Sequence, residues 1–388
     1  MSVYHQMGSG TEGLLSERHL QNYEGAVLSP VNYSETQVRA QTTDHQREDF
    51  ELVFDPQLYF PSSRRGQLPG WSYFPSDVDT ADVGSLSWWS TLVGNLAASL
   101  RQFGPRSVCS PAVVPRVASY DYYVQNAEVA SLMVGELGRD GIEVLQTVLV
   151  RLDYLSQSDT PYQLASIVSR AEPNRVYLVL ISDQAPRLEL RETQELKCAM
   201  LLIRLLEEAQ IRVLVAFASS DVILWKAAGA TTCATGKFFN LRRFTPSRWQ
   251  PPEDGGGQAS YWFEESLMAF LREADLLRVR EVQSLSAASL TNPYGSEIIR
   301  ILDEGPHRPW LALGWRQYLH WFADFAMRQE TGGVDPDQVL ADSLQVWEDL
   351  DTRNVFMEER RNDGAWLRPW RRALAQASQP ADPTPTAN

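Results

Sequence analysis

The stretch Arg175-Val176-Tyr177-Leu178-Val179-Leu180-Ile181 is followed by a helical pattern over residues 193–210 and then by Ile211-Arg212-Val213-Leu214-Val215-Ala216-Phe217. Both apolar runs are almost unbroken and rich in β-branched residues, the pattern of strands covered on both faces. Between them Leu196, Met200, Ile203 and Leu206 recur at helical spacing, so that segment turns one apolar stripe toward a sheet. Strand, helix and strand in this order make a parallel unit, because parallel strands need a crossover connection.

The same grammar extends in both directions. Toward the N-terminus lie apolar runs at 144–150, at 107–114 (stopped by Pro115), at 50–54 and at 26–30; toward the C-terminus lies the short run Thr231-Thr232-Cys233-Ala234. Helical patterns over 86–103, 126–137, 162–170 and 220–228 alternate with them, the last opening on a Ser-Asp cap and stopping at Gly229. The predicted fold class is α/β, a (β/α)8-like TIM barrel with a helical C-terminal region; barrels of this class need about 250 residues. An open doubly wound sheet is the alternative. Residues 1–23 read as an irregular lead-in, 24–250 as the barrel, 251–375 as the helical region and 376–388 as a disordered tail. A linker containing Pro251, Pro252 and Gly255-Gly256-Gly257 precedes helical segments at 261–272, 296–303, 310–330 and 336–347.

Composition narrows the functional classes. The chain has 388 residues, 44% hydrophobic and 22% charged, with a formal charge of −14. That charge disfavours indiscriminate binding to nucleic acid or anionic membrane but leaves room for a local basic site. No apolar run approaches the ~20 residues that span a bilayer, and the polar start is not a secretory signal. Three widely spaced cysteines, Cys109, Cys198 and Cys233, fit a reducing, cytoplasmic compartment rather than a disulfide framework.

In a parallel barrel, ligands meet the C-terminal ends of the strands. The residues just past the apolar runs include Ser29, Asn32, Asp55, Arg151, Asp153 and Asp183. Asp55, Asp153 and Asp183 are the candidate catalytic residues, since convergent carboxylates can share protons, act as base or nucleophile, or hold a divalent cation. The competing reading is that each caps a helix or forms an Asx turn. All five histidines lie away from the expected strand ends, which argues against histidine-based zinc and a Ser-His-Asp triad. No phosphate-binding P-loop or dinucleotide fingerprint is present.

The most specific segment is 222–252. It carries Lys226, Lys237, Arg242, Arg243 and Arg248 and no acidic residue. Gly236 lets backbone approach an anion, Lys237 brings charge, and Arg242 and Arg243 can add bidentate contacts. The order Ala218-Ser219-Ser220, short helix, Ala228-Gly229-Ala230, strand, Gly236-Lys237 resembles the last two units of phosphate-binding TIM barrels. The resemblance implies an anion near Ser219, Ser220, Gly236 and Lys237. The strand-end aspartates also resemble those of the tRNA-guanine transglycosylases, but the close cysteines of that family's zinc site are missing, and no residue is carried over.

These readings predict an enzyme acting on an anionic, phosphate-bearing ligand such as a nucleotide or nucleic-acid end. The alternative is a non-catalytic barrel subunit of a larger assembly. In that case Trp315, Tyr318, Trp321, Phe322 and Phe325, crowded on one predicted helix, would form a protein contact through the C-terminal region.

Overall fold

The computed structural model describes residues 2–11, 13–44, 50–79, 81–157, 159–250, 258–305, 308–359 and 362–377. Eight parallel strands close into a barrel in sequence order. They are β1 (Ser2–Gln6), β2 (Gly25–Leu28), β3 (Glu51–Phe54), β4 (Ser107–Cys109), β5 (Glu143–Arg151), β6 (Arg175–Ile181), β7 (Arg212–Ala216) and β8 (Thr232–Thr235). The circle shuts where β1 lies between β2 and β8, with Tyr4 opposite Gly25 and His5 opposite Thr235. The fold is therefore the α/β barrel expected from the strand–helix alternation.

One strand departs from the sequence reading. Residues 1–23 were expected to be an irregular lead-in, yet β1 is a barrel stave. Ser-Val-Tyr-His-Gln lacks the apolar continuity that marked the other strands because both of its faces meet polar or aromatic neighbours. Inside the barrel, the Tyr4 hydroxyl bonds Glu51 and the Gln6 amide oxygen accepts from the Tyr177 hydroxyl at 3.3 Å. On its outer side, buried His5 meets the Tyr23 ring edge-on at 5.9 Å.

The barrel's outer helices follow their strands: α1 (Glu35–Asp44), α2 (Leu86–Leu100), α3 (Tyr120–Leu137), α4 (Leu152–Leu155), α5 (Thr160–Val168), α6 (Thr193–Glu208) and α7 (Val222–Ala227). The connection from β1 to β2 is different, since it holds only two single turns, Leu14–Ser16 and Arg18–Leu20. The rest of the chain forms a hairpin, β9 (Trp262–Glu264) with β10 (Ala269–Leu271), then α8 (Glu273–Glu281), α9 (Ala287–Thr291), α10 (Pro293–Glu304), α11 (Leu311–Glu330), α12 (Pro336–Thr352) and α13 (Leu367–Ala377).

Helix α11 covers the gap left by the short first connection. The Tyr23 hydroxyl donates to the Leu319 carbonyl at 2.9 Å, Arg316 pairs with Glu17 at 2.7 Å, and the Tyr318 and Thr235 hydroxyls lie 2.8 Å apart. Tyr318, Trp321, Phe322 and Phe325 are buried in this contact, and only Trp315 is half-buried. The C-terminal region is thus barrel wall as much as appendage, and the division at residue 250 runs through one packed unit. The linker at 251–257 lies outside the described residues, as does the tail from 378 onward, while residues 376 and 377 end α13.

The helix expected over 261–272 is the β9–β10 hairpin. Its aromatic spacing mimics a helical stripe, but Met268 turns the chain in the left-handed region (φ 50°). Buried Glu264 fixes the turn by accepting from the backbone N–H groups of Ser266 and Ser286 at 3.0 and 2.8 Å and from the Trp262 indole at 3.0 Å.

The lower end of the barrel is plugged by charge. Arg175 reaches Glu51 at 2.7 Å and Glu143 at 2.5 Å, and Arg212 reaches Glu143 at 2.7 Å. A guanidinium this deeply buried is tolerable only with paired carboxylates. The candidate site therefore lies at the other end, where the strands' C-termini open. No helix among the described residues is long and apolar enough to cross a membrane.

Candidate functional site: a cationic cleft at the barrel mouth

The three candidate aspartates do not come together. Asp153 and Asp183 are solvent-exposed, with side-chain exposures of 59% and 83%, and both bond the same guanidinium, that of Arg151, at 2.8 and 3.0 Å. Hydrogen bonds from Arg151 hold the Asp153 carboxyl below its ordinary range. This arrangement is a surface ion triad. Among the described residues, no group of three or more His, Cys, Asp or Glu side chains is placed to hold a metal ion.

Asp55 is different, because it sits sealed inside the top of the barrel. Its Oδ2 accepts from the Tyr59 hydroxyl at 2.8 Å and the Tyr177 hydroxyl at 3.3 Å, and its Oδ1 accepts from the Gln57 backbone N–H at 3.0 Å. Gln57 reaches back in this way because it adopts a left-handed conformation, φ 52°. Burial pushes the Asp55 carboxyl up to about 6, against the pull of the donors from Tyr59, Gln57 and Tyr177. Desolvation disfavours the charged form of an acid and so raises its pKa.

The segment after β8 roofs this interior. Phe244 makes a parallel bridge to Ile181, and the Trp249 ring packs on Tyr59 and Phe244 with centroids at 5.1 and 4.9 Å. Gly236 is required at the strand's exit, since a β-carbon there would lie 2.6 Å from the Gln6 carbonyl oxygen and 2.5 Å from Leu241. That close packing serves the fold rather than a ligand.

Outside this roof lies a cleft of about 890 Å³ at the ends of β1, β2, β6 and β8. Arg65, Arg187, Lys237, Arg242, Arg248 and Arg272 line it, with no Asp or Glu lining it among the described residues. Four aromatics, Phe238, Phe239, Tyr261 and Trp315, line it as well. The Lys237 ammonium donates to the Gly10 carbonyl at 2.9 Å and lies 4.7 and 4.6 Å from the Phe238 and Trp315 ring centres. Arg242 is fixed by the carbonyls of Gly236 and Lys237 at 2.9 and 2.8 Å and lies 3.6 Å from the Tyr318 ring centre. Arg187 and Arg272 share Glu359 at 3.1 and 2.6 Å. Burial lowers Arg242 and Arg248 to about 10, so both remain cations at neutral pH.

Of the residues assigned to the anion from sequence, Lys237 and Arg242 therefore line the cleft. Ser219, Ser220 and Arg243 are committed elsewhere. The Ser219 N–H donates to Asp221 at 2.8 Å, the Ser220 hydroxyl donates to Glu189 at 2.6 Å, and Arg243 lies 3.4 and 3.6 Å from Asp221 and Glu189. Burial pushes Glu189 up to about 7 against the pull of Arg243. This buried cluster braces the β7 and β8 ends behind the cleft.

Sequence reasoning passed over Arg248 as a site residue, although it lies in the same basic segment. Arg65, Arg187, Arg272 and Trp315 come from distant segments and carried no motif.

No known protein family matches the sequence, and no curated protein does. Among solved structures, one with similarity is D-psicose 3-epimerase with D-tagatose from Clostridium cellulolyticum H10. It has 8% sequence identity and a TM-score of 0.33, covering 61% of this chain and 84% of the other. Nothing about that protein's substrate or chemistry is carried over.

Proposed function

We propose that the mouth of this barrel binds an anionic, phosphate-bearing ligand of nucleotide type. The observation that carries the reading is the cleft lining of six Arg and Lys side chains, without a carboxylate among the described residues, in a chain of formal charge −14. A cationic concavity with low-dielectric walls concentrates anions, and guanidinium groups suit phosphate geometry. The aromatic lining offers a face for a ring-bearing portion of the same ligand. Of the strand-end aspartates, only Asp55 keeps a place in this reading as an acid–base group, because it lies just behind the roof of the cleft. Four of the five aromatics offered to the assembly-subunit reading are buried within the chain, which favours the ligand reading.

Calorimetric titration with a nucleoside monophosphate and with inorganic phosphate tests the proposal. We expect the nucleotide to bind more tightly, and Lys237→Met to weaken both by roughly tenfold or more, the worth of one charge-assisted hydrogen bond, with the fold retained as read by circular dichroism. Absence of binding, or binding indifferent to Lys237, Arg242 and Arg248, would overturn it.

A further inference from the structure

The cleft reading leaves unexplained a set of buried donors at its inner wall. Among the described residues, four N–H groups have no acceptor: Arg248 Nε in the cleft lining and, behind it, Gln57 Nε2, Trp249 Nε1 and Gln6 Nε2. All four residues are more than nine-tenths buried. A buried donor without an acceptor costs free energy, so a cluster at one end of a barrel calls for a partner. These four are donors and call for acceptors on the partner, while the cleft lining also holds an orphan acceptor, Asn240 Oδ1.

Two of these residues, Arg248 and Gln57, meet at Ser29. The Ser29 hydroxyl accepts from Arg248 Nη2 at 3.0 Å and from Asn32 Nδ2 at 2.9 Å, and it donates to Gln57 Oε1 at 3.0 Å. Arg248 and Asn32 line the cleft, whereas Gln57 belongs to the interior. Ser29 therefore joins cleft and interior, with the Arg248 and Gln57 head groups flanking one hydroxyl. Trp249 follows Arg248 in the chain and packs on Tyr59, which holds Asp55.

We infer that Arg248, with the Gln57 amide and Trp249 indole N–H groups beside it, forms the seat for a terminal oxyanion of the ligand, at the inner end of the cleft rather than at Lys237. This rests on the cleft reading and deepens it. Rim cations draw the ligand in, and the buried donors decide its chemistry, accepting a tetrahedral phosphate or a planar carboxylate and rejecting a neutral end group. Rejection follows because a neutral terminus would leave Arg248 and the orphan donors unpaired, the situation in which hydrogen-bonding sites discriminate most strongly. Asn32, bonded to the same serine at the cleft wall, completes the approach.

The test uses the full chain and calorimetric titration with inorganic phosphate and with acetate, so that the two oxyanion sources are separated. Arg248→Met keeps the aliphatic stem and removes the guanidinium, Gln57→Leu removes the amide, and Arg300→Ala removes an exposed charge away from the cleft. We expect Arg248→Met to weaken phosphate by roughly tenfold or more and Gln57→Leu by roughly threefold or more, with Arg300→Ala within about twofold. Phosphate binding tighter than acetate assigns the seat to a tetrahedral group, and the reverse order assigns it to a carboxylate. Arg248→Lys serves if the methionine variant fails to fold; it retains the charge but not the Nε donor, and should still lose several-fold. Binding that depends on Arg65 and Lys237 but not on Arg248 or Gln57 would overturn the inner seat and leave the cleft reading standing. Failure of both anions and of the nucleoside monophosphate to bind would remove both.

Discussion

Asp55 is ionised at neutral pH at a cost. Its carboxyl titrates near 3.8 when exposed and near 6 in the fold, because burial opposes the charge more than Tyr59, Gln57 and Tyr177 support it. The folded state therefore holds this proton more tightly than the unfolded chain. Its contribution to stability is full below about pH 4 and is lost as pH rises through 6. His5 works in the opposite sense. Burial, with the nearby Lys237 charge, lowers its imidazole to about 3, so folding loses that contribution as pH falls below the ordinary histidine range. A comparison of variants isolates Asp55 from this background. Asp55→Asn should match the parent near pH 4 and exceed it at pH 8 by on the order of 3 kcal/mol, read by urea unfolding across that range. A constant difference would show that charge is not what the buried site resists. Asp153 and Asp183 make a second case at this scale. Both are exposed partners of Arg151, so Asp153→Ala and Asp183→Ala should each change stability by less than about 1 kcal/mol. Thermal unfolding checks the first expectation, and unaltered phosphate binding checks the absence of a ligand role.

Among elements, legibility followed burial chemistry. Strands β2 to β8 carried apolar runs and could be read, as could α6, whose stripe of Leu196, Met200, Ile203 and Leu206 is buried. Strand β1 could not, because Tyr4 and Gln6 face a polar interior whose partners, Glu51 and Tyr177, come from β3 and β6. The β9–β10 hairpin was read as helix because aromatic residues at mixed spacing satisfy both periods, and the left-handed turn at Met268 leaves no glycine to mark it. At the site, the basic segment was legible as charge, but the choice among its members was not. Arg243 is neutralised by Asp221 and Glu189, whereas Arg248 reaches Ser29 from the other side of the cleft, and no local pattern separates them. Helix α11 makes the element-scale prediction. Because it covers the gap over the first connection, a fragment ending near residue 250 should be recovered as aggregate rather than as soluble barrel. Phe322, fully buried, should cost about 3–5 kcal/mol on replacement by alanine, measured by chemical denaturation. A soluble, cooperatively unfolding fragment would show that the eight strands need no cover from the C-terminal helices.

For the whole molecule, the division of labour runs along the barrel axis. One end is closed by Arg175 with Glu51 and Glu143, an arrangement in which every charge has a partner and no ligand is needed. The other end collects cations around a cleft and keeps unpaired donors behind them. On the proposed reading, recognition lies at the end opposite the charged plug, so changes at the mouth should leave the plug intact. The closure of the barrel also sets a clock. Ser2 pairs with Thr232, 230 positions later, and Tyr23 bonds a carbonyl of α11 further still. At ~5–20 residues added per second, the first strand waits roughly 12–46 s on the ribosome for its second neighbour. During that interval its edge is open to any strand that passes, so the period of greatest danger for this protein falls before its chain is complete.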